Sequence, residues 1–357
     1  MGDYLKLFET HAEYQTYEQS GDMIKPNVSY CEDNNCVHYN PYVHDYSKDY
    51  LTIKSLEDNN EIRFYASTSD IRKTVSISTD NGATWTEYVP PTTTYGVDPT
   101  AILNTGEKLL IKGENETYAN TSDRHTFFSS KTCDLEGNIM SLIYGDNFAT
   151  STTLTQNYCF FEMFMGLKVV NADKLILAAT TLSSSCYSQL FYDCTYLVKP
   201  PVLPATTLAS SCYNAMFVGC TALTTAPELP VTTLAGYCYK SMFQGCTSLV
   251  NAPALPATTL ISSCYRSMFQ GCTSLVNAPA LPATTLISDC YRSMFYGCTN
   301  LNYIKAMFTT TPSTTYTRDW VSSVAANGTF VKNAAAEWDV SGVNGVPSGW
   351  TVQTASE

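Results

Sequence analysis

Residues 264–288 read CYRSMFQGCTSLVNAPALPATTLIS, and from Cys290 the chain restarts with CYRSMFYGCTNL. Cys186, Cys212, Cys238, Cys264 and Cys290 fall 26 residues apart, as do Cys194, Cys220, Cys246, Cys272 and Cys298. The copies 247–272 and 273–298 differ only at Ser263/Asp289 and Gln270/Tyr296. A degenerate half-copy lies at Cys159–Gly166, offset by one residue. A fixed period of this length is the mark of a solenoid, in which each unit contacts its neighbours and none buries its own apolar face alone.

The unit reads as two halves. Placed on a helix at 100° per residue, Cys264, Tyr265, Met268, Phe269 and Cys272 share an arc of about 140°, while Arg266, Ser267 and Gln270 fall outside it. One short amphipathic helix per unit is expected, with Gly271 near its C-terminal end. In TSLVNAPALPATTL the prolines forbid helix and remove ladder donors, so any strand there is short. Leu275, Ala278 and Leu281 are its expected inward residues.

The repeated cysteines do not read as bridges. Eight helical residues span roughly 12 Å, whereas bridged Cα atoms lie within about 7 Å. C-x7-C on one helix does not converge on a tetrahedral zinc ion either. Each thiol is expected as a small buried hydrophobe stacked on its equivalent, which suits folding in a reducing cytoplasm. Cys31, Cys36, His38 and His44 gather four potential ligands, but their spacing matches no standard knuckle and no metal is expected there.

Upstream of the repeats the pattern changes. EIRFYAS, TVSISTD, EKLLIKG and IMSLIYG alternate and are separated by Asp-Asn-Gly and Asn-Thr-Gly turns, as in a small antiparallel sandwich. The expected architecture is α+β: an N-terminal attachment segment over 1–50, an Ig-like β-sandwich over 51–148, a leucine-rich-repeat-type solenoid over 149–308 and a C-terminal cap over 309–357.

Charge excludes some functions. The 357 residues carry a formal net charge of −12, which argues against a nucleic-acid partner. Residues 195–298 hold Glu228 and Asp289 against Lys199, Lys240, Arg266 and Arg292, a local balance of +2. No run of about eighteen apolar residues suggests membrane insertion. MGDYLKLFETHAEYQTYEQSG has neither the basic start nor the apolar stretch of a signal peptide. Ser78–Trp85, STDNGATW, fits the Asp box of sialidases, where it is a structural hairpin turn; one copy does not make a propeller. No G-x-S-x-G, H-E-x-x-H or phosphate-loop pattern occurs. No catalytic residue and no cofactor is expected. Lys240, Arg266 and Arg292 occupy one position in three successive units and are the candidate binding residues, a basic ridge.

The MFxGCTSL core followed by APxLP resembles the BspA-like leucine-rich repeats of gut and oral bacteria and their viruses. That resemblance spans Ser151 to about Phe308 and implies a right-handed solenoid used for binding. The unit is longer than the commonest BspA-like form. YLKLFETHAEYQTY and PNVSYCEDNNCVHYNP look like the N-terminal segment of virion structural proteins of crAss-like phages. The 51–143 block resembles Ig-like modules that accompany such repeats, and GTFVKN…VNGVPSGWTV resembles the segment that closes them. Together these imply a virion-surface protein assembled in the bacterial host cytoplasm, a head or tail fibre. Its partners would be capsid or tail proteins, reached through the N-terminal segment, and a host-surface glycan or protein. A homo-oligomer such as a trimer is expected. The alternative is a bacterial cell-surface leucine-rich-repeat adhesin, which requires an export signal.

Overall fold

The computed structural model describes residues 5–8, 28–31, 36–39, 46–68, 72–92 and 97–355. The chain divides into two compact units, Met1–Asp49 and Tyr50–Glu357. In the first, strands β1 (Leu5–Phe8), β2 (Val28–Cys31) and β3 (Cys36–Tyr39) form one sheet, with β1 parallel and β3 antiparallel to β2. Its register sets Cys31 opposite Cys36 and Ser29 opposite His38; His44 lies outside the described residues.

The second unit begins with alternating strands: β4 (Leu51–Ser55), β5 (Asn60–Ala66), β6 (Val75–Ser78), β7 (Thr86–Tyr88), β8 (Ala101–Leu103), β9 (Lys108–Lys112), β10 (His125–Ser129) and β11 (Cys133–Asn138). In β5 the period-two pattern is complete: Asn60, Ile62, Phe64 and Ala66 are buried while Glu61, Arg63 and Tyr65 are half-exposed. Helix α1 (Ser141–Tyr144) and a 3₁₀ segment lead to β12 (Val169–Ile176). One sheet has the order β12-β11-β4-β9-β6-β7 and a second the order β10-β5-β8. Further on, β13 (Tyr303–Ala306), β14 (Thr329–Lys332) and β15 (Thr351–Thr354) form a parallel sheet. Among the described residues the protein is mostly strand with very little helix, in several sheets and no closed barrel.

The repeats correct the expected α component. No unit contains the amphipathic helix read at 100° per residue; Cys264–Cys272 is a chain of overlapping turns. Every fourth backbone is left-handed: Ser263 (φ 56°), Ser267 (φ 55°) and Gly271 (φ 74°). Gly271 is therefore one of a series of left-handed positions, and it ends no helix.

The hydrogen bonds alternate. Cys264, Arg266, Met268 and Gln270 donate their N–H back within the unit, to the carbonyls of Ile261, Ser263, Tyr265 and Ser267. Ser263, Tyr265, Ser267 and Phe269 donate forward into the next unit, to the carbonyls of Ser288, Cys290, Arg292 and Met294. Every backbone donor from Ser263 to Cys272 thus finds a partner, half of them in the next unit. Spacing explains the choice. Equivalent rings of neighbouring units stand 5.5–6.1 Å apart, and packed helices need about 8–10 Å between axes. A turn ribbon fits that interval and a helix does not. The apolar pattern Cys-Tyr-x-x-Met-Phe-x-x-Cys has a period of four, which so short a stretch does not separate from 3.6.

Two aromatic columns run through the units. One passes from Phe64 and Phe127 through Phe164, Phe191, Phe217, Phe243, Phe269 and Phe295 to Trp320. The other joins Phe160 to Tyr187, Tyr213, Tyr239, Tyr265 and Tyr291. The first column enters the strand region because β10 and β11 cover the first unit: Phe127 N–H donates to Met163 O at 2.8 Å and Cys133 N–H to Lys168 O at 3.0 Å. Proline-bearing segments are extended and joined by isolated bridges such as Asn251↔Asn277. Leu275, Ala278 and Leu281 point inward.

The backbone pattern continues past residue 309. Asp319 (φ 54°) and Ser323 (φ 60°) repeat Ser293 and Gly297, and Trp320 takes the place of Met294 one unit later. The loop at Val343–Val346 then supplies the acceptors that a following unit would have offered. Thr317 Oγ1 donates to Asn344 O, Asp319 N–H to Asn344 Oδ1 and Trp320 Nε1–H to Gly345 O, at 2.8, 2.8 and 2.9 Å.

Candidate functional site

The turn ribbon decides which side chains face outward. With two of every four positions buried and one left-handed, the remaining position projects from the stack, so residues four apart share its outer side. In successive units the outer pairs are Lys240/Gln244, Arg266/Gln270 and Arg292/Tyr296, half-exposed except for the exposed Tyr296. Their backbones are locked in register: the carbonyls of Lys240, Arg266 and Arg292 accept N–H from Ala215, Ser241 and Ser267, each at 2.8 Å.

The structure therefore brings the three candidate cations into one row and adds a fourth. Arg318 O accepts Ser293 N–H at 2.8 Å, and its side chain is exposed. Only the one-unit step from Arg292 could have found it, because residues 313–324 keep none of the Cys-Tyr or Met-Phe-x-x-Cys signature.

The row's electrostatics are mixed. Asp289 Oδ2 lies 3.9 Å from Arg266 Nη1 and 3.7 Å from Arg292 Nη1, both pairs partly exposed. These distances leave most guanidinium donors directed elsewhere. Lys240 Nζ sits 5.8 Å from the centre of the Tyr237 ring. Burial first, and the Arg266 charge second, lower the Lys240 pKa.

Other sequence features have structural placements. In STDNGATW, Asp80 accepts Thr84 N–H at 2.9 Å and the Thr84 and Ser78 hydroxyls at 2.6 and 2.7 Å. These bonds hold its carboxyl down at about 2. Asn81 and Gly82 take φ of 57° and 84° between β6 and β7. The Trp85 ring lies beneath Lys112 Nζ at 4.3 Å and edge-on to Tyr50 at 4.8 Å.

His125 is fully buried, its Nδ1 2.7 Å from Tyr118 O and its Nε2 accepting Lys73 N–H at 3.0 Å. That pairing requires the neutral ring protonated at Nδ1, and burial pulls its pKa down to about 4. All twelve described cysteines of the second unit are free and buried. Cys220, Cys246 and Cys272 donate S–H to Phe191, Phe217 and Phe243 carbonyls at 3.0–3.1 Å, and burial raises their pKa. No group of three metal-ligating side chains occurs among the described residues, and none of their helices is long and apolar enough to cross a membrane.

A shallow groove of about 440 Å³ lies between the proline segments Val202–Thr206 and Glu228–Thr233. No protein-family model, curated protein or solved structure matches the chain.

Proposed function

We propose that this chain is a phage virion structural protein, a head or tail fibre whose repeats form a leucine-rich-repeat-type solenoid displayed for host-surface adhesion. In this reading residues 1–50 attach to the particle, through capsid or tail proteins. The strand region is an Ig-like module, and the chains assemble as a homo-oligomer such as a trimer. The observation that carries the reading is the register of the repeats. Donors in one unit and acceptors at the same step in the next build a rigid, repetitive surface, which is what multivalent weak adhesion needs. The BspA-like core, the crAss-like N-terminal segment and twelve free, buried thiols suited to a reducing cytoplasm support it. The half-exposed cation row is the candidate contact with a host glycan or protein. No reaction chemistry is assigned to it.

The test is mass spectrometry of density-purified phage particles beside washed host envelopes. Stoichiometric copies in particles are expected. Absence from particles with enrichment in envelopes would replace the fibre with a bacterial cell-surface adhesin.

A further inference from the structure

Resting on that adhesion reading, we infer that Lys240, Arg266, Arg292 and Arg318, with Gln270 and Tyr296 beside them, form a strip that binds a linear polysaccharide carrying regularly spaced carboxylates. The sugar chain would lie along the repeat axis.

Four observations converge on this strip. First, the cations follow the axis of the repeats. Equivalent rings of the units that carry the strip stand 5.7–6.1 Å apart, so each cation is one short step from the next. This is a one-dimensional lattice of four cations, with the Asp289 carboxylate between Arg266 and Arg292, in a chain whose formal net charge is −12. Second, the lattice cannot slip, because the four carbonyls accept equivalent N–H bonds of 2.8 Å. Third, Asp289 comes no closer to Arg266 and Arg292 than 3.9 and 3.7 Å, beyond hydrogen-bond distance, so it does not occupy their donors. Arg318 has no ion pair among the described residues and is exposed. Fourth, the companion positions suit sugars. Tyr296, 42% exposed, supplies an aromatic ring for apolar C–H groups, and Gln270 an amide for hydroxyls.

A row of guanidiniums and one ammonium matches carboxylates that recur along a stiff polymer. The fixed spacing gives several weak contacts a high effective concentration. Toward the strand region the equivalent positions hold the uncharged Asn214 and the buried Ser188, so the strip has a defined end.

The full chain would be titrated against polygalacturonate, neutral dextran and polyglutamate by calorimetry at low and moderate salt. Expected are salt-sensitive binding of polygalacturonate and none of dextran. Arg266→Gln/Arg292→Gln/Arg318→Gln should weaken polygalacturonate binding by at least about tenfold. Lys240→Gln/Arg318→Gln, which leaves both Asp289 contacts intact, should weaken it by a smaller factor and serves if the triple variant does not fold. No binding of polygalacturonate, equal binding of polyglutamate, or unchanged affinity in a folded variant would each overturn the strip. The particle measurement is independent of all three outcomes, so failure here would leave the virion reading standing.

Discussion

The strand region and the repeats share one apolar core but reach stability differently. In the strand region each contact is made once: Asn60 binds Lys131 N–H and Thr132 O across a turn, and His125 ties Tyr118 to Lys73. In the repeats each contact recurs at the same place in the next unit, and half of the ribbon's N–H groups are satisfied only by that neighbour. A unique network is therefore sensitive at each member, and a periodic one at its ends. The periodic part also accommodates locally unfavourable features. Serine and alanine sit at positive φ, and the buried Tyr187 and Tyr213 hydroxyls lack hydrogen-bond partners among the described residues.

The sharpest attempt to break this contrast is Trp320→Ala. Trp320 is fully buried, ends the phenylalanine column and donates to the covering loop. Removing it should cost about 3–5 kcal/mol, read by urea unfolding. Amide exchange should rise first in residues 313–346 and leave Leu51–Ala66 protected. Uniform loss across both regions would show that the end has no special role.

Acid probes the unique region next. The ordinary histidine value is about 6.5, and His125 in the fold sits at about 4, so the unfolded chain takes up its proton first. The stabilisation is complete above about pH 6.5 and is lost as pH falls toward 4, a change of a few kcal/mol at most. Unfolding midpoints measured between pH 7 and 4 should show this decline. His125→Gln should be less stable at pH 7 and flatter over the same range.

Two smaller effects sharpen the comparison because their sign is opposite to intuition. Tyr213→Phe deletes a buried hydroxyl without a partner and should stabilise by about 1–2 kcal/mol, checked by thermal melts. Ala215→Gly relieves an alanine at φ 55°. It should stabilise by about 1 kcal/mol in a turn ribbon and destabilise by a similar amount in a helix. The same melts decide between the two.

The unit length, the buried Cys, Tyr, Met and Phe positions and the burial of every repeated thiol were legible in the sequence, because a strict period reports stacking whatever the backbone does. The alternating strands and the STDNGATW turn were legible for a local reason: period-two burial and positive-φ turns are written into neighbouring residues. The three cations at one repeat position were also legible as a row.

What only the tertiary structure decided is how each unit closes. The short interval between stacked units leaves no room for a helix, and donors that a helix would bond internally go to the adjoining unit. The same is true of Arg318, of the contact between Asp289 and Arg266 and of the acceptors at Asn344 and Gly345. Their partners lie a full unit away, and at the array's end the residue pattern is lost while the backbone pattern persists. Local preference sets which side chains are buried in a repeat; the distance between repeats sets the backbone that carries them.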